Sequence, residues 1–141
     1  MNKTHMPNEK NTQGQWYFLD AKGQVLGKLA TKAAAVLMGK NSAVYTPGAL
    51  SDNHVVVTNA AKIVVSGNKM QDKIYYRHSN YPGGLRQETL GEVMKKNPSA
   101  AIERAIKGML PINKLRKRYM ANLYVYAGAE HPHSAQEKSS K

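Results

Sequence analysis

Four cations crowd into five residues at Lys114-Leu115-Arg116-Lys117-Arg118. On a helix they wrap most of the circumference, leaving Leu115 and Tyr119, four apart, to anchor one side. Cations held this close repel one another, and phosphates relieve that repulsion while their own counterions are released. The cluster closes a longer basic span. From Lys62 to Arg118 there are thirteen Lys and Arg against four Asp and Glu, which is nine of the chain's twelve excess positive charges. A solvated helix face interleaves Glu with Lys; here the acids are too few, and a polyanion partner is expected. Tyr75-Tyr76-Arg77-His78 adds aromatic and guanidinium planes on which unpaired bases can stack, which favours RNA over DNA. The competing reading, equally compatible with either tyrosine singly, is that one faces the core and the other lies on the surface.

Other chemistry-bearing patterns fail on spacing. Gly39-Lys40-Asn41-Ser42 ends like a nucleotide-binding phosphate loop, but the first glycine of that motif would fall at Ala34. Asn41 would stand where Ser or Thr holds magnesium, and a helix rather than a strand precedes it. Gly23-Gln24-Val25-Leu26-Gly27-Lys28 is one residue too short for the same motif. Glu130-His131-Pro132-His133 sets two histidines two apart, yet a closed zinc site needs further ligands and the chain has no cysteine. Histidines bonded to backbone or phosphate fit better. No Ser/His/Asp or paired-carboxylate arrangement stands out among the nine acids, so neither a catalytic residue, a metal site nor a cofactor is expected.

These residues need a scaffold, and composition bounds it. The chain has 141 residues, a formal net charge of +12 and 41% hydrophobic content. That is one ordinary domain with a real core, too apolar for a disordered basic tail. No apolar stretch approaches the ~20 residues that cross a bilayer. Residues 1–15 are polar, lack Arg and have no apolar run, so they are expected to be neither a secretory signal nor a transit peptide. The expected division is a polar extension over 1–15, one domain over 16–136 and a polar tail over 137–141.

Along the domain, Trp16 to Asp20 is a strand and Ala21-Lys22-Gly23 a turn. Leu26, Leu29, Ala30, Ala33 and Leu37 follow helical spacing, with Gly39 placed to stop the helix in the left-handed conformation. Val55 to Thr58 shows no alternation, as in a strand buried on both faces. Ile63 to Val65 and Ile74 to His78 are further strands, and Tyr81-Pro82-Gly83-Gly84 is a loop. The chain then turns helical: Thr89 and Glu92 form a capping-box pattern, and Pro98 suits a first helical position. Ile102, Ala105, Ile106, Met109 and Leu110 keep helical spacing as far as Pro111, with Glu103 and Lys107 as an i,i+4 pair. Asn113 caps a short helix to about Asn122, and Tyr124 to Tyr126 is a last strand. Strand, helix, strands, helices, strand predicts an α/β fold with a mostly parallel sheet.

From Trp16 to about Gln136 the chain resembles the universal L-thirteen family of large-subunit ribosomal proteins, bacterial type. The matching motifs run in order: Trp16-Tyr17 with Asp20-Ala21, Leu26-Gly27-Lys28-Leu29-Ala30, Tyr45-Thr46-Pro47, Val55-Val56-Val57 with Asn59-Ala60, and Ser66-Gly67-Asn68-Lys69. Tyr75-Tyr76-Arg77-His78, Pro82-Gly83-Gly84 and Lys107-Gly108-Met109-Leu110-Pro111 follow, and Val125 through Gln136 closes the match. After Leu115 the family usually has Gly-Arg, where this chain has Arg116-Lys117.

The resemblance implies a three-layer α/β/α fold around a four-stranded parallel sheet. It implies a structural, non-catalytic role: binding large-subunit ribosomal RNA, beside neighbouring ribosomal proteins, and supporting subunit assembly. The setting is then the ribosome of the bacterial cytoplasm, or an organellar ribosome of bacterial type, with neither a membrane nor a small-molecule substrate. Charge and resemblance together mark Lys40, Lys62, Lys69, Tyr76, Arg77, His78, Arg86, Lys107, Lys114, Arg116, Lys117 and Arg118 as the expected RNA contacts. Two other classes predict different features. A DNA-binding module would use the helices between Thr89 and Asn122, where Pro98 and Pro111 break any recognition helix. A nucleotide-using α/β enzyme would carry a phosphate loop after the first strand, where Ala21-Lys22-Gly23 has none.

Overall fold

A computed structural model describes residues 14–43 and 45–139. The expected extension therefore lies outside the described residues except for Gly14 and Gln15. Strand β1 (Trp16–Asp20) leads into helix α1 (Leu26–Leu37), and strand β2 (His54–Thr58) follows. The β-branched run makes β2 the centre of a parallel sheet, with β1 on one side and β5 (Leu123–Val125) on the other. Val55, Val56 and Val57 are all fully buried, as a strand covered on both faces must be.

α1 ends as its glycine requires. Gly39 has φ +77°, its N–H donates to Val36 O, and the N–H of Lys40 donates to Ala35 O. That double bond pattern is a Schellman cap, in which a side chain on the left-handed residue would be strained.

One face of the sheet holds the main core. Leu19, Val55 and Val57 meet Leu29, Ala33 and Leu37 of α1 and Ile102 and Ile106 of helix α4 (Pro98–Met109). Each fully buried Leu or Ile here contributes about 1.5–3 kcal/mol. The other face is different in kind. Trp16 and Phe18 of β1, His54 of β2, and Tyr124 and Tyr126 around β5 form a layer of rings with His131 and His133. Helix α6 (Ser134–Ser139) packs against β1 on the edge of this layer. Residues 134–136 belong to the expected domain and 137–139 to the expected polar tail, so the tail begins as a helical turn.

The sheet corrects two expectations. It has three strands, not four, because Ile63 to Val65 contributes only one parallel bridge, Val25 to Val64. The 3₁₀ turn Ala60–Lys62 leaves too few extended residues for a ladder. Asn59, Ala60 and Ala61 are instead held by Gly128 O, Tyr126 O and Ala127 O. Second, Ile74–His78 (β3) does not join the parallel sheet. It pairs antiparallel with β4 (Leu85–Thr89), a strand the sequence reading passed over. Gly84 closes this hairpin: a Cβ there would lie 2.8 Å from Tyr81 O and collide with Ser79.

Between β2 and β3 lies the single-turn helix α2 (Lys69–Asp72), and β4 runs directly into α3 (Leu90–Lys96). The capping box is complete: Thr89 Oγ1 accepts from Glu92 N, and Glu92 Oε2 accepts from Thr89 N. Because Thr89 ends the hairpin and begins α3, this cap fixes the ribbon against the core. Thr89→Ala is expected to cost about 1 kcal/mol, read as a lower urea midpoint, with Thr89→Ser close to wild type. Asn97 Oδ1 caps α4 by accepting from Ala100 N, with Pro98 at the first helical position. Helix α5 (Arg116–Ala121) begins after a turn in which Asn113 Oδ1 accepts from Arg116 N.

Candidate nucleic-acid interface

The hairpin sorts its side chains by the pleat. Tyr75 stands opposite Glu88 and Arg77 opposite Arg86, so these four share one face. Tyr76, opposite Gln87, and His78, opposite Leu85, occupy the other face. Tyr75 is half-buried and packs on Leu90, Val93 and Ala101, whereas Tyr76 is 64% exposed. The two tyrosines thus divide between core and surface, which is the competing reading rather than two rings offered to bases. Two like charges directly opposite on a ribbon repel, so Arg77 and Arg86 make a pair that an anion would stabilise.

α4 crosses beneath this face. The guanidinium of Arg104 lies over the Tyr75 ring, 4.9 Å from its centroid, and Lys73 Nζ is 5.7 Å from the same centroid. Glu88 is the one acid on this face of the ribbon. Its Oε1 accepts from Lys96 Nζ at 2.9 Å. That bond and the charge of Lys96, reinforced by Arg104 and Arg77, hold the carboxyl below its usual range. A cavity of about 300 Å³ is bordered by Tyr75, Tyr76, Arg77, Arg86, Glu88 and Arg104.

The remaining expected contacts fall into two sets. Lys107 lies one turn beyond Arg104 on α4, and the turn and helix that follow carry Lys114, Arg116, Lys117 and Arg118. Lys107, Lys114, Lys117 and Arg118 are exposed. Leu115 is half-buried and Tyr119 buried, so the helix is anchored as the spacing predicts. Arg116 is the exception. It is half-buried, its Nε donates to Pro111 O and its terminal nitrogen donates to Leu110 O. It ties α5 to the end of α4.

Lys69 is exposed and borders a groove with Lys73, Tyr75 and Arg104, which places it beside the hairpin root. Lys40 follows the α1 cap, and Lys62 stands near Asp20, whose carboxyl is held below its usual range by the Lys22 N–H first, then by Asn59, with the charges of Lys22 and Lys62 adding to it. Both are exposed. Arg104 and Lys73 were not among the expected contacts. Arg104 sits three residues after Ala101 on the helix, and that spacing alone would have put it over whatever Ala101 packs against.

The motif Glu130-His131-Pro132-His133 belongs to the ring layer, away from the hairpin. Tyr126 Oη and His133 Nε2 are 2.9 Å apart, and His131 Nε2 lies 3.7 Å from Glu137 Oε2. Among the described residues no three His, Asp or Glu gather as metal ligands. Burial first, and then the nearby His131 and His54, lower the pKa of His133. Its native pKa thus lies below the unfolded value near 6.5. As pH falls, the unfolded chain takes up this proton first, so the stability present above pH ~6.5 is lost as pH drops toward the native value. The melting temperature is expected to fall as pH drops below about 6.5, with a shallower fall in His133→Phe. Identical pH curves for the two proteins would contradict it.

Comparison with known proteins places this arrangement. The family model for ribosomal protein L13 matches residues 14–132. The chain belongs to the ribosomal protein L13 family. It is 50% identical over 137 residues to the large ribosomal subunit protein uL13 of Staphylococcus epidermidis, a match spanning 97% of this chain and 94% of that protein. The uL13 proteins of two Staphylococcus aureus strains, JH9 and Newman, match with the same identity and coverage. The L13 match takes in the whole hairpin, α4 and α5. Among the described residues no helix is long and apolar enough to cross a membrane.

Proposed function

We propose that this chain is a structural component of the large ribosomal subunit that binds large-subunit ribosomal RNA and supports its assembly, without catalysis. The observation that carries this reading is the set of exposed cations on the hairpin, α4 and the α5 region, on a chain of the L13 family. The parallel sheet with α1 and α4 is the rigid block. Arg77 and Arg86 on the ribbon, Lys69 at its root, and Lys107, Lys114, Lys117 and Arg118 beyond it hold phosphates of separate RNA segments. Tyr76 and His78 offer exposed rings on the ribbon's far face. Arg116 acts by fixing the turn from which its neighbours project. Lys40 and Lys62 add charge at the margins, and neighbouring ribosomal proteins cover further surface.

Neutralising phosphates from several RNA segments at once holds a folded junction together, which is a scaffold's contribution to assembly. The test is competition at fixed salt. Large-subunit ribosomal RNA is expected to displace a labelled fragment of itself at far lower concentration than duplex DNA of equal phosphate content. Equal displacement would favour a general polyanion binder instead.

A further inference from the structure

The hairpin cavity is more than a cluster of charge. Its floor is the Tyr75 ring with the Arg104 guanidinium lying over it at 4.9 Å. Arg104 is exposed and borders the cavity, and its guanidinium is a planar group of the kind that stacks on flat rings. Arg77 and Arg86 face each other across the ribbon at the cavity's side. Glu88 gives Oε1 to Lys96, which leaves Oε2 as an acceptor among donors. The volume, about 300 Å³, is at the small end of ligand sites, which run ~300–1,000 Å³. Flat cationic platform, paired anion holders and a single acceptor are the three things that recognise a nucleotide's base, phosphate and amino edge.

We infer that this cavity receives one unpaired nucleotide of the RNA, its base stacked on Arg104 and its phosphate between Arg77 and Arg86. The inference rests on the RNA-binding reading above and adds a site and a residue to it. Stacking on the outer side of Arg104 extends a Tyr75–Arg104–base sandwich, and the base need not displace any core side chain. Duplex RNA presents no free base face and cannot enter. Arg104 is therefore a specificity residue for single-stranded RNA, while Lys114, Lys117 and Arg118 are indifferent to pairing.

The test compares a short single-stranded RNA with an oligomer of the same length and phosphate count that carries abasic sites, both bound to the full chain. Base–platform stacking is worth about 1–3 kcal/mol, so the intact strand is expected to bind about fivefold to a hundredfold tighter. Arg104→Lys keeps the charge and removes the plate, and it is expected to lower the ratio to the remainder left by the exposed Tyr76 and His78 rings, with an unchanged salt slope. Tyr75→Phe keeps the ring and should retain the wild-type ratio. A wild-type ratio of one, or an Arg104→Lys ratio equal to wild type, overturns the assignment. Large-subunit ribosomal RNA titrated on the same samples separates the two readings. If wild type binds it and the ratio is one, only the nucleotide site fails; if wild type does not bind it, both fail.

Discussion

Lys114→Glu, Lys117→Glu and Arg118→Glu combined in one chain are expected to weaken binding to large-subunit ribosomal RNA by about two to three orders of magnitude near 0.1 M salt. The slope of log affinity against log salt should fall by about two to three, since each phosphate neutralised contributes ~0.7–0.9. The mechanism is release of condensed counterions, so the loss should be largest at low salt and shrink as salt rises. Folding should survive. All three side chains are exposed, and the reversal removes a local excess of like charge. Arg116 is left in place because its guanidinium holds the carbonyls of Leu110 and Pro111; replacing it would disturb the turn as well as the charge. Filter binding across a salt series checks this, with thermal melting as the folding control. Unchanged affinity and slope would remove α5 from the interface.

Ile102→Ala is expected to cost about 2–5 kcal/mol, the range for deleting a fully buried Ile or Leu side chain. Ile102 is fully buried where α4 meets α1 and the sheet, and a domain this size is stable by only ~5–15 kcal/mol. The consequence is functional as well. α4 carries Arg104 and Lys107, so loosening it disorders the surface between hairpin and α5. Urea unfolding monitored at Trp16 gives the stability change. A loss under about 1 kcal/mol would mean that the α1–α4 interface collapses around the void more readily than these buried contacts indicate.

How much of this was legible in the sequence varies with the strength of the local signal. β1, α1 and β2 follow their residues closely because each signal is physical and local: an aromatic run, a 3.6-residue period ended by Gly39, and three consecutive valines. The Thr89–Glu92 box and the Asn97–Pro98 start are likewise self-contained capping chemistry. β4 was missed because Leu85-Arg86-Gln87-Glu88-Thr89 has no apolar face to bury. Its strand character comes from pairing with β3, which is a tertiary fact. The fourth strand failed for a related reason: three apolar residues at Ile63 are enough for a bridge but follow a 3₁₀ turn. Glu103 and Lys107 have helical spacing without forming an ion pair among the described residues.

The candidate site divides along the same line. Charge density found the α5 cluster and the tyrosine-rich strand. It could not find Arg104, whose importance comes from the ring it covers, nor show that Arg116 spends its donors on backbone carbonyls. The two histidines of Glu130-His131-Pro132-His133 are explained by tilted ring contacts with Phe18 and Tyr124, which no spacing rule reveals.

The central claim is that this basic surface holds the chain in the large ribosomal subunit. Sedimentation of extracts containing the tagged full chain through density gradients tests it most directly. Co-migration with large subunits at moderate salt and release to the top of the gradient at high salt are expected. A chain that stays at the top of the gradient at moderate salt would contradict it.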